Sequence, residues 1–367
     1  MLPKTQGAVG CAHCQKLGAK KSCPSCKRPV CETCFARPAT CNRPRPFERP
    51  LPRRARIKSI SACGRYALTR PLWGKLRGLD LEQMTSKPLE NAHRSRAILV
   101  STPSALDERA VARLGLSCSP LDERCWVVEP PASTQLSQSG DGRYLLVVRG
   151  DRAAVHDLHD GLELVNAHRM PAQVIHSAAL NPAIGLLALG GHRVVQVLHY
   201  AQRGAASNAG QWSLPAGASR QRSGPYDFSG GNITWLGFTI GQLAALTGDG
   251  QLVIGAVDLD APPRAWPARV QPTRAAPSKD VEGWAVNPRL AAIDPNGKWL
   301  ALGGERFGGA FRTGGILRLV SLHDNRRIQI PLDRPPRALR FIDGGRSLVA
   351  AESERLRYWP TEALYTG

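Results

Sequence analysis

One phrase that returns along this 367-residue chain limits its fold more than any other feature. Residues 136–164, LSQSGDGRYLLVVRGDRAAVHDLHDGLEL, read as a short strand and a glycine turn, then strands over 143–148 and 153–158. A turn at Asp160-Gly161 then opens a further strand. The phrase recurs at 60–69, 180–200, 236–259, 293–304 with 314–324, and 341–360. Its turn glycines, at 64, 142, 185, 241, 297 and 345, lie 78, 43, 56, 56 and 48 residues apart. The first gap is nearly twice the smallest, and three short apolar runs at 98–101, 111–116 and 125–129 fill it without the turn signature. Six visible units and one degenerate unit make seven. A four-stranded sheet of ~45 residues cannot bury both faces alone, and a closed ring of such sheets solves this by stacking each on the next.

The residues that carry the repeat resemble those of the WD-repeat β-propellers. Val155-His156-Asp157-Leu158, followed by Asp160-Gly161, looks like a worn form of that family's third strand and turn, as do Leu79-Asp80-Leu81 and Val257-Asp258-Leu259. The likeness spans roughly 57–361, but the signature dipeptide is mostly lost. The resemblance therefore implies an all-β fold, a seven-bladed propeller over 57–367, with six or eight blades as alternatives. Only 103–114 has a composition that suits a helix. A ring of this kind is usually closed by a strand borrowed from the other terminus, here from residues around 50–58 or from 362–365.

Seven of the ten cysteines lie in the first 41 residues, which points to metal and not to disulfides. They form three CxxC pairs, Cys11/Cys14, Cys23/Cys26 and Cys31/Cys34, with Cys41 following. Two thiolate pairs at this spacing complete a tetrahedron around zinc at ~2.3 Å per bond, so three pairs and a seventh cysteine imply more than one site. The pattern resembles the cross-braced treble-clef fingers, closest to the B-box. That resemblance implies one zinc held by Cys11, Cys14, Cys31 and Cys34, and a second held by Cys23, Cys26 and Cys41. No Cys or His near Cys41 offers an eighth ligand. The expected organisation is a zinc module over 1–42, a Pro/Arg-rich linker over 43–56 and the propeller over 57–367.

Charge is uneven. The chain carries 49 Lys+Arg against 29 Asp+Glu, a formal net charge of +20, and residues 1–58 hold 14 of those cations against Glu32 and Glu48 alone. Residues 37–56, with five prolines and seven arginines, favour an extended basic arm that could contact nucleic acid or serve only as a stiff spacer. Phe47 is the one aromatic in it, too few for stacking on single strands. Three stretches, 202–231, 262–283 and 303–315, break the repeat's rhythm and are expected to gather on one rim. That rim offers Arg220, Arg222, Tyr226, Arg274, Lys279, Arg306, Phe307 and Arg312 as partner-binding residues.

No segment approaches ~18 consecutive apolar residues and 1–10 lacks the apolar core of a signal peptide, so the expected location is cytoplasmic, without membrane contact. The composition rich in Ala, Arg, Gly and Pro reads as bacterial. There is no phosphate-binding P-loop, dinucleotide fingerprint or nucleophile elbow. His156-Asp157 and His159-Asp160 look like metal-hydrolase dyads, but neighbours on a strand point to opposite faces. Cys63, Cys118 and Cys125 read as small core residues. The expectation is a non-enzymatic protein-interaction scaffold. By architecture it looks like the propeller component of bacterial ternary systems that pair a propeller with a MoxR-type AAA ATPase and a von Willebrand A protein. Nucleic-acid binding through 1–56 is the alternative, and a ubiquitin-ligase accessory or a metal-dependent hydrolase ranks behind it.

Overall fold

The computed structural model describes residues 21–22, 29–30, 47–51, 56–61, 64–70, 75–83, 85–89, 97–102, 105–171, 173–200, 208–213, 231–239, 241–248, 251–257, 268–272, 274–275, 283–308, 311–324 and 326–365. Two compact units are distinguished, Glu48–Tyr358 and Met1–Phe47 with Trp359–Gly367. In the second, the described segments include a two-residue antiparallel pairing of Lys21–Ser22 with Pro29–Val30 and a short helix, Thr361–Tyr365.

The larger unit is a seven-bladed β-propeller, the fold expected from the repeat. From the inner strand outward, blade 1 is Ile57–Ile60, Tyr66–Thr69, Arg77–Asp80 and Ser86–Pro88. Blade 3 runs from Thr134–Gln138 to Glu163–Arg169, blade 4 from Ser177–Asn181 to Asn208–Ser213, and blade 5 from Ile233–Thr239 to Ala268–Pro272. Blade 6 has long strands, Gly283–Ile293, Trp299–Gly308 and Phe311–Ser321, with Arg327–Leu332 outside them and Arg274–Ala275 on the opposite edge. Blade 7 comprises Ala338–Ile342, Ser347–Ala351, Arg355–Pro360 and, from the other end of the chain, Phe47–Pro50.

The second strands explain why the repeat reads as continuous apolar runs. In Leu186–Gly190 of blade 4, Leu186 and Ala188 pack into the cluster shared with blade 5, and Leu187 and Leu189 into the cluster shared with blade 3. Leu145 and Val147 of blade 3 likewise face blade 2, and Leu146 and Val148 face blade 4. A strand alternates its side chains between two faces, so a sheet buried on both must be apolar at every position. The six turn glycines all have positive φ, from 66° at Gly185 to 92° at Gly345, and each turns its blade's inner strand back into the second. At Gly64 a Cβ would also stand 2.9 Å from Ile342 Cδ1, across the boundary between blades 1 and 7.

Blade 2 departs from the pattern in a way that accounts for the long glycine gap. Its spatial order is Ile98–Ser101, Cys125–Glu129, Ser117–Pro120, so the strand that comes second in the chain lies outermost. Ile98–Ser101 and Ser117–Pro120 both run antiparallel to the strand between them and are therefore parallel to each other. Such a pair needs a crossover connection. The helix Glu108–Arg113 supplies it, capped by Asp107, whose carboxylate accepts from Arg109 N at 2.9 Å. Its Ala110 and Val111 pack against Trp126, Leu145 and Val147. The apolar run at 111–116 is thus the end of the helix and its exit, and the helix falls within 103–114, the one stretch whose composition suits it.

The ring is closed from the other end of the chain, as expected, but by Phe47–Pro50, just ahead of the 50–58 segment named for that role and within the 43–56 stretch expected as a linker; it forms the outer strand of blade 7. Leu51 N donates to Glu354 O at 2.8 Å, and Leu51 is buried beside Ile57 and Leu356. Glu48 bridges to Arg355 at 3.1 Å and Arg357 at 3.2 Å. Arg357, with its side chain 10% exposed, also meets Glu352, 2% exposed, at 2.7 Å and Asp333 at 2.6 Å. Burial raises the Glu352 carboxyl above the usual range, and the Arg357 charge opposes that rise. Arg357→Met would leave this carboxylate buried without its cation, an expected loss of about 3–5 kcal/mol. Glu48→Gln removes a half-exposed partner and should cost about 1 kcal/mol or less. Urea unfolding of the two variants should reproduce this order.

Candidate partner-binding face

Antiparallel strands that alternate in direction bring two kinds of connection to one end of the ring: those from blade to blade and those between second and third strands. At that end blades 6, 7 and 1 enclose a cleft of ≈ 1310 Å³. Blade 1 supplies Arg56, Lys58 and Arg70; the connection from blade 6 to blade 7 supplies Asp333, Arg334 and Arg337. The blade 6 hairpin adds Glu305 and Arg312, and the turn of blade 7 adds Glu354 and Arg355.

The charges on the two walls differ. Near blades 6 and 7 each carboxylate has a cation: Glu305 meets Arg312 at 3.0 Å, Glu354 meets Arg334 at 3.5 Å and Asp333 meets Arg355 at 3.3 Å. On the side formed by blade 1 and Arg337, no ion pair engages Arg56, Lys58, Arg70 or Arg337 among the described residues. The Lys58 ammonium is held below the usual lysine range, first by partial burial and then by the charges of Arg70, Arg337 and Arg56. Local structure sets this grouping. Arg56 and Arg337 each directly precede an inner strand, and Arg70 N donates to Arg56 O at 2.9 Å.

Of the residues singled out on the rim, Arg312 lines this cleft. Arg306 instead holds the hairpin together, donating to Gly315 O at 2.8 Å and Leu332 O at 3.2 Å. Phe307 is half-buried and lies in register with Gly283 and Arg312. Arg274 sits in the two-residue strand opposite Ala285. Arg220, Arg222, Tyr226 and Lys279 lie outside the described residues. The stretches expected as excursions contain strands: 208–213 and 268–272 are the outer strands of blades 4 and 5, and 303–315 is largely a paired ladder. Lys58, Arg70 and Arg337 belong to no motif in the sequence. The available signal was positional, a cation at the head of two inner strands that closure makes neighbours.

Cys11, Cys14, Cys23, Cys26, Cys31, Cys34 and Cys41 lie outside the described residues, as does Cys63. The short pairing of Lys21–Ser22 with Pro29–Val30 flanks Cys23 and Cys26 in sequence. Cys125 is buried, and Cys118 has its thiol pushed up to about 11 by burial and by Glu108, away from the reactive thiolate. The histidine dyads do not converge. His156 is buried with Nδ1 3.1 Å from Leu162 O, whereas Asp157 binds Arg143 at 2.8 Å and accepts from His159 N at 2.9 Å. Among the described residues no three His, Cys, Asp or Glu side chains gather as a metal would require, and no helix is long and apolar enough to cross a membrane.

No protein-family model and no curated protein matches this chain. The class rests on the architecture alone, a seven-bladed β-propeller. That fold is commonly a protein-interaction scaffold.

His168 is buried, and among the described residues neither ring nitrogen has a hydrogen-bond partner. Burial lowers its pKa from 6.5, so the unfolded chain takes up the proton first as pH falls. Its contribution to stability is present above pH 6.5 and is lost as pH drops through the depressed folded value. His168→Leu should therefore flatten the decline in stability below pH 6.5 without loss at neutral pH, as read from urea unfolding across that window.

Proposed function

We propose that this chain is a non-enzymatic interaction scaffold. The ring displays a docking cleft at the face shared by blades 6, 7 and 1, and the cysteine-rich head adds a zinc-stapled second contact. One observation carries the reading. Among the described residues the cleft is lined mainly by guanidinium, ammonium and ion-paired carboxylate groups. Such a wall recognises charge and shape. Nucleic-acid binding through the basic arm has less support, because part of that arm is built into the ring. Arg49 donates to Leu81 O at 2.8 Å and lies over the Tyr358 ring at 5.9 Å. The architecture is also compatible with the propeller component of a MoxR-type AAA ATPase and von Willebrand A assembly.

Affinity purification of the full chain from its native cells, under mild cross-linking, should recover a protein partner in near-stoichiometric amount. Recovery of the chain alone, or of nucleic acid lost on raising salt to ~0.5 M, would overturn the reading. For the head, the proposal is structural zinc on Cys11, Cys14, Cys31 and Cys34, with Cys23, Cys26 and Cys41 holding a second ion. Metal analysis should find about one or two zinc per chain. Cys11→Ser should remove the first, and Cys41→Ser should affect only the second.

A further inference from the structure

We infer that the cationic half of the cleft, Arg56, Lys58, Arg70 and Arg337, is a docking site for an acidic peptide segment of a protein partner. This deepens the scaffold reading and rests on it. The four side chains come from the entry to blade 1, its second-to-third-strand turn and the entry to blade 7, and meet only because the ring closes. All are exposed, and among the described residues none is in an ion pair. Like charges held together without a counter-charge raise the energy of the empty site, and an anion of matching spacing relieves it. The opposite wall cannot serve as that anion, since Glu305, Asp333 and Glu354 already have their own arginines. Three guanidinium groups favour planar oxyanions that accept two parallel hydrogen bonds, and the carboxylates of adjacent Asp or Glu side chains have that form.

Two further observations select a peptide. The cleft, at ≈ 1310 Å³, exceeds the ~300–1,000 Å³ usual for small-molecule pockets. Among the described residues its lining includes no aromatic ring on which bases could stack. Pro335, half-buried, gives the lining an apolar component against which an extended backbone can rest.

The test is direct binding of fluorescein-labelled hexaglutamate to the full chain, followed by anisotropy at fixed salt, with a dT10 oligonucleotide as competitor. Lys58→Glu/Arg337→Glu should weaken hexaglutamate binding at least about tenfold, as expected for the loss of charge-assisted contacts. Arg152→Glu/Arg327→Glu, which makes the same change in net charge at exposed positions outside the cleft, should weaken it by less than about threefold. Lys58→Gln, which relieves repulsion and should fold at least as well as the parent, gives an intermediate loss. Equal weakening in the two doubly charged variants would overturn the inference, because binding would then be diffuse. It would also fall if dT10 displaced the peptide at a lower concentration than unlabelled hexaglutamate. If the native partner is still recovered with Lys58→Glu/Arg337→Glu, the cleft assignment fails and the scaffold reading stands. If hexaglutamate binds at the cleft but no partner is recovered, the scaffold reading fails and the site stands.

Discussion

A ring of sheets is stable only when its last member is finished, and here that depends on four residues from the far end of the chain. Phe47–Pro50 pairs with Arg355–Pro360, so a segment made early waits for one made some three hundred residues later. Such non-local pairing bears the entropy of closing a long loop before any contact compensates for it. The compensation is local and specific: Leu51 joins the cluster between blades 7 and 1, and Glu48 adds its carboxylate to the group around Arg357. Without this strand the outer edge of blade 7 would expose the unpaired groups of Arg355–Pro360.

Most of the ring could be read from the sequence because two physical requirements leave visible marks. Tight turns in the left-handed region favour glycine, and the six glycines used to count units all adopt that conformation. Sheets buried on both faces need unbroken apolar runs, and LLALG of blade 4 or SLVAA of blade 7 can scarcely be anything else. Where neither mark was needed, the reading slipped. Blade 2 turns through a helix, so it lacks the glycine, and its strand order differs from its chain order. The closing strand FERP reads as a stiff spacer because proline is poor in sheet interiors, yet an outermost strand needs donors on only one side.

The site was less legible than the fold, since charge alone does not say what a charge contacts. Arg306 and Arg312 look alike in sequence, yet one donates to the carbonyls of Gly315 and Leu332 while the other faces the cleft. Lys58 and Arg337 are 279 positions apart in the chain and share no motif; only closure makes them neighbours. Turn glycines report a local requirement, whereas a cleft assembled from three blades is a property of the topology.

The closing strand and the cleft are built from the same material. Asp333 and Arg355 belong both to the ion cluster that engages Glu48 and to the wall of the cleft. On the other wall, Arg56, Lys58 and Arg70 of blade 1 face Arg337 of blade 7 across the seam that closure creates. Repulsion among these four works to open the seam, and the buried Leu51, Ile57 and Leu356 work to hold it shut. An anionic segment bound there would cancel the first without disturbing the second, so binding and closure favour each other through one free energy. Under the proposed docking of an acidic segment, the seam is where binding would add to closure, through negative charge at the spacing of those four side chains.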